Sequence, residues 1–166
     1  MMPDCVPVRI AQAVAAEINA AVESGELSEQ FIAEFSFASE ITAYQDLNDD
    51  ILTVDVIPTS DQECAFRAAG MYRHYPRVAI GIRRRIAPID RTEDGAVDST
   101  SITTYVNLLY AIFRMFAGGR NLTTEPTAAW DNSKPPTISL YDPDMLKDGL
   151  YFGWIHLPFI VHERMA

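Results

Sequence analysis

The stretch Tyr72-Arg73-His74-Tyr75-Pro76-Arg77-Val78-Ala79-Ile80-Gly81-Ile82-Arg83-Arg84-Arg85 decides the fold class. Val78, Ile80 and Ile82 fall on one side; Arg77, Ala79, Gly81 and Arg83 fall on the other. A period of two belongs to a strand half-buried against a core. Pro76 has no N–H to give a ladder, so it marks an edge, a bulge or a late strand start. Working outward, Ile51-Leu52-Thr53-Val54-Asp55-Val56-Ile57 is rich in β-branched residues and ends at Pro58, with Leu52, Val54 and Val56 expected to face the core. Residues 31–37 alternate as well, placing Phe31, Phe35 and Phe37 on one face. Residues 59–71 read as a loop. On the C-terminal side, residues 137–140 form a short strand and residues 150–162 a long apolar one.

Two segments switch to the helical period. In residues 8–23, Ile10, Val14, Ile18, Ala21 and Val22 recur at spacings of three and four, and Gly25 provides a stop. In residues 97–116, Asp98 or Ser99 supplies the N-cap. The stripe Ile102, Tyr105, Val106, Leu109, Ile112, Phe113 and Phe116 then runs to Gly118-Gly119. Asp142-Pro143 opens a single helical turn. Residues 121–136, with Trp130, read as loop. The expected order is α-β-β-β-α-β-β. Strands in runs imply an α+β fold, a mostly antiparallel mixed sheet with two main helices packed on it. Leu109, Ile112, Phe113 and Phe116 are expected to bury against Val54, Val56, Ile80 and Ile82. The 166 residues suit a single domain, 1–166, with residues 1–7 as a loose N-terminus.

Charge is partitioned along the chain. Residues 1–66 hold thirteen acids and one base, Arg9; residues 67–91 hold seven arginines and one acid, Asp90. Opposite-sign patches on different elements allow head-to-tail self-association. They also serve simply to solvate separate faces. In a strand, Arg83 and Arg85 point to one side and Arg84 to the other. They are either a solvated strand end that blocks edge pairing or a contact with a neighbour's acidic segment. The net charge of −10 argues against general nucleic-acid binding, which needs a basic footprint.

Motifs for chemistry are not found. His74, His156 and His162 are scattered. Asp142 and Asp144 fit a helix cap better than a calcium loop. There is no nucleophile elbow, phosphate loop or dinucleotide fingerprint, so neither enzyme nor cofactor is expected. Cys5 and Cys64 follow no metal or redox spacing, and a reduced setting is the simplest expectation. No apolar run reaches the ~18 residues of a membrane span.

The order and spacing of these segments carry a resemblance. An alanine-rich first helix leads to Leu52-Thr53-Val54-Asp55-Val56-Ile57-Pro58, then to Tyr75-Pro76-Arg77-Val78-Ala79-Ile80-Gly81-Ile82. A second helix, the segment Asp142-Pro143-Asp144-Met145-Leu146 and a final strand with Phe152 follow. Over about residues 8–164 this resembles the tail terminator (tail-completion) proteins of long-tailed bacteriophages. The resemblance implies a structural virion protein at the tail–neck junction, assembled in the host cytoplasm. It implies a homo-oligomeric ring, a hexamer, that caps the tail tube protein and meets a neck or head-completion protein. DNA would pass through its lumen without sequence-specific binding, and no membrane is involved. On that expectation Arg73, Arg77, Arg83, Arg84 and Arg85 are candidates for the subunit interface. Asp46, Asp49, Asp50, Asp61 and Glu63 are candidates for an electronegative lumen. A head-completion protein, or a small bacterial enzyme or ligand-binding α+β domain with an apolar pocket beneath the second helix, are the alternatives.

Overall fold

Two long strands in one unbroken register organise the molecule. The computed structural model describes residues 5–37, 51–59, 63–68, 70–86 and 91–164. Within them the order is α1 (Val6–Glu23), β1 (Ala33–Phe35), β2 (Thr53–Pro58), β3 (Glu63–Ala68), β4 (Met71–Tyr75), β5 (Arg77–Arg85), α2 (Ser99–Ala117), β6 (Ala128–Trp130), β7 (Thr137–Ser139), α3 (Pro143–Lys147) and β8 (Leu150–Arg164). The fold is α+β: a mixed, mostly antiparallel sheet of eight strands with two main helices packed against it.

β4 and β5 pair with β8 as if they were one strand. Met71 lies opposite Arg164, Arg77 opposite Pro158 and Arg85 opposite Leu150. At the junction the Phe159 N–H donates to the Pro76 carbonyl at 2.9 Å. Proline cannot donate in return, so the pair is half-made and the strand is interrupted without losing register. β2 continues the sheet beyond β5, and β3 pairs with β4. β1 joins β2 in parallel, and β7 and β6 occupy the second edge of β8.

Four expectations need correction. Residues 59–71, read as loop, contain β3. Residues 121–136, also read as loop, contain β6, where Trp130 pairs opposite Phe159. Neither strand has a clean polar–apolar alternation; each exists because a neighbour, β4 or β8, offers it a ladder. Conversely, the strand expected over residues 31–37 shrinks to three residues. Its outer edge is closed by a side chain: Asn19 of α1 accepts from the Ala33 N–H (2.7 Å) and donates to the Ala33 carbonyl (3.0 Å), as a neighbouring strand would. α1 itself starts at Val6, which is buried, so Val6 and Pro7 belong to the helix and not to the loose N-terminus expected over residues 1–7.

Alternation sorts the sheet into two faces. Val54, Val56, Val78, Ile80, Ile82, Ile155 and Leu157 are all fully buried on the helix side. α1 lays Ile10, Val14 and Ile18 over the β1–β2 side, while α2 lies along β8. The expected packing of α2 on Val54 and Val56 is therefore replaced by α1. Leu109, Ile112 and Phe116 are buried as expected, but Phe113 is only partly so. It flanks the stripe rather than centring it, and its ring meets Trp130 at 6.2 Å. α2 starts on Asp98, whose carboxylate accepts from the Thr100 N–H. Glu17, buried in α1, accepts from the Thr123 N–H at 2.9 Å and so ties α1 to the chain beyond α2.

Gly153 of β8 is what lets α2 come close. A Cβ there would stand 2.7 Å from both the Leu140 carbonyl and the Tyr151 hydroxyl, and 3.1 Å from Leu109 Cδ2. That hydroxyl donates to the same carbonyl at 2.8 Å, so the added methyl would break a formed hydrogen bond. Gly153→Ala should cost about 1–3 kcal/mol, the usual range for overpacking. Gly81→Ala, whose Cβ would meet only a ring carbon at 3.4 Å, should cost less than about 0.5 kcal/mol. Chemical denaturation of the two variants checks the contrast.

Candidate functional site

Among the described residues the second face of the sheet carries neither of the two main helices, and its side chains follow from the same alternation. Asp55 and Ile57 of β2, Ala79, Gly81 and Arg83 of β5, and Phe152, Trp154 and His156 of β8 all point this way. The middle strand contributes small residues where its neighbours contribute large ones. The result is a trough floored by Ala79 and Gly81, with Ile57 on one bank and Phe152 and Trp154 on the other. α3 brings Met145 to its rim, and Leu150 closes the end near it. The groove has a volume of about 480 Å³, within the range of ligand-sized clefts. Short local structure positions α3: the Asp142 carboxylate accepts from the Asp144 and Met145 N–H groups, and Pro143 fits the first turn.

One ion pair is set into this apolar surface. Arg83 Nε and Nη2 both reach Asp55 Oδ2, at 2.8 and 2.7 Å. Each residue is only 6% exposed. Burial pushes the Asp55 carboxyl above its usual range; Arg83 pulls the other way, and Glu34, directly opposite Asp55 in β1, adds to the rise. At the other end, burial lowers the His156 imidazole below its ordinary value, helped by the Arg77 charge. His156 stacks obliquely on Trp154, with centroids 4.8 Å apart.

The candidate interface arginines separate. Arg77, Arg83 and Arg85 lie on the groove side of β5, and Arg84 on the helix side, 5.4 Å over the Tyr105 ring. Arg73 is half-buried in β4, opposite His162. Arg85 is exposed and Arg83 is not. The picture of Arg83 as a solvated strand-end charge is thus corrected: β5 still has β2 and β8 on both sides there, and the guanidinium is held by its own chain. Of the lumen candidates, Asp46, Asp49, Asp50 and Asp61 lie outside the described residues. Glu63 is exposed on β3 and paired with Lys134 at 2.5 Å. The charge partition is therefore partly neutralised within the chain, through Asp55–Arg83, Glu63–Lys134 and the Arg120 contacts with Glu17 and Glu26.

Sequence reasoning grouped Ala79 and Gly81 on one side of β5 but did not see the groove. Its signal was there: an Ala-x-Gly pair in a strand flanked by others that place Ile57, Phe152 and Trp154 on the same side. The expected apolar pocket beneath the second helix is instead on the opposite side of the sheet. Among the described residues no group of three His, Cys, Asp or Glu side chains is placed to hold a metal ion, and no helix is long and apolar enough to cross a membrane. Chemically, the arrangement offers an apolar surface into which one ion pair, Asp55–Arg83, is set. No protein-family model matches the chain, and no curated protein sequence matches it.

Removing one partner of a buried pair strands the other charge, whereas replacing both does not. Arg83→Ala should therefore cost about 3–5 kcal/mol, and the double variant Asp55→Leu with Arg83→Met should stay within about 1–2 kcal/mol of the parent or exceed it. Urea denaturation of both variants measures this. Equal losses in the two would mean that the arginine acts through packing alone.

Proposed function

We propose that the protein is a structural virion subunit of the tail terminator type. In this reading copies assemble into a ring that ends the tail tube and joins it to the neck, leaving a lumen for DNA. The observation that carries the reading is the apolar face of the sheet opposite the two main helices, with Ile57, Phe152 and Trp154 around a floor of Ala79 and Gly81. A surface of this kind calls for a partner. The separation of acids and arginines along the chain supplies the polarity that a head-to-tail contact needs, and heterologous contacts of that sort close into rings when the rotation permits. The order and spacing of segments shared with tail terminators supports the particular assembly. The acidic surplus fits a lumen that DNA crosses without gripping, since each cation there would add a phosphate contact.

The same groove favours one other reading, a ligand-binding α+β domain that works as a monomer. Mass in solution separates the two. Sedimentation velocity at micromolar concentration, with negative-stain images of the same sample, should give a particle of several copies around a central channel. A monomer at all concentrations would contradict the ring and leave the ligand-binding reading.

A further inference from the structure

The groove floor runs along one strand, from Ala79 to Arg83 of β5, about 13 Å at 3.3 Å per residue. Its two ends differ in charge. Leu150 and Met145 close the α3 end, where Arg83 is already held by Asp55. His156 lines the opposite end, and Arg77, the next residue of β5 on this face, lies close enough for its charge to bear on the imidazole. Arg77 is half-buried, and among the described residues no carboxylate pairs with it. Glu63 is taken by Lys134, and Asp131, buried beside Pro158, accepts from the Ser133 N–H and hydroxyl. Beyond Arg77 the same face continues with Arg73 and His162, opposite each other in β4 and β8. Among the described residues the enclosed Arg73 Nε has no hydrogen-bond partner. An apolar trough one strand wide thus leads to a stretch with cations to spare.

We propose that the groove is a binding site for an amphipathic anion: a straight apolar chain lying over Ala79 and Gly81, with a single carboxylate head at Arg77. Ile57 on one bank and Phe152 and Trp154 on the other take the chain out of water, which supplies the attraction. Charge selects the direction in which it lies. A carboxylate at the α3 end would meet a guanidinium already bound to Asp55, and the Asp55 carboxylate would repel it. At the other end Arg77 has no such partner among the described residues, and its planar fork suits a carboxylate. His156, kept toward its neutral form by burial and by Arg77, brings an N–H to the head without a competing negative charge. The site belongs to the free chain and does not rest on the ring-forming reading. In a chain that assembles through this face, the ligand and the neighbouring copy compete for it.

Calorimetric titration of the whole chain tests the site, with sedimentation of the same sample reporting assembly separately. Sodium decanoate, kept below its micelle concentration, should bind as a single molecule per chain. Decanol and decyltrimethylammonium should bind at least about tenfold more weakly, because neither makes the charge-assisted contact. Acetate, which has the head without the chain, should not bind measurably. Arg77→Gln should weaken decanoate about tenfold and leave decanol unchanged. Ala79→Phe, which fills the floor, should abolish decanoate binding. No decanoate binding by the parent chain, equal binding of the three long-chain probes, or undiminished decanoate binding by Arg77→Gln or Ala79→Phe would each overturn the site. Each of those results leaves the ring reading to the sedimentation measurement.

Discussion

The register shared by β4, β5 and β8 is the constraint on which the other features depend. Side chains alternate strictly along a strand, so a slip of one residue would send every inward side chain outward. In the register observed, Ile80 and Ile155 face the helices together, and Gly81 and Trp154 face the groove together. A slip would drive Arg83 and Trp154 against α1 and α2 and expose the isoleucines. The buried Asp55–Arg83 pair fixes the neighbouring register, because its two members meet only when β2 is in register with β5. The pair thus acts on specificity as well as on stability. Pro76 shows how firmly the register is held: a lost N–H interrupts the ladder at one point, and the pairing resumes on either side without a shift.

Much of this was legible from residue patterns, and the failures share a cause. The two helices, β2, the long β4–β5 strand and β8 each carry enough periodic apolar residues to declare themselves. β3 and β6 do not. Their residues are of mixed character, and they are strands because β4 and β8 supply partners; no local pattern records that. Phe113 illustrates a finer limit. Helical spacing places it near the apolar stripe, but which of two neighbouring stripes faces the sheet depends on which helix covers which strand. The groove lay between the two cases. Its residues were visible singly, and the depth came from comparing three adjacent strands, which requires knowing that β2, β5 and β8 are neighbours.

The arginine run shows how one sequence feature divides among three tasks. Arg83 is used inside the chain, Arg84 covers an aromatic ring at the start of α2, and Arg85 remains at the exposed end. A charge count along the sequence treats them alike. In the fold, strand alternation and the depth of each position separate them, and Arg77, well outside the run, becomes the cation best placed at the groove. With Arg83 and Arg84 held within the chain, apolar area outweighs charge on this face of the sheet.

The central claim is that the sheet face opposite the two main helices becomes buried when copies associate. Trp154 stands in that face and the chain has only two tryptophans. In a Trp130→Phe background its emission reports the groove alone. Followed by dilution through the dissociation of the assembled particle, the Trp154 emission maximum should move to longer wavelength as water enters the groove. An emission maximum that stays constant while light scattering records dissociation would contradict the account.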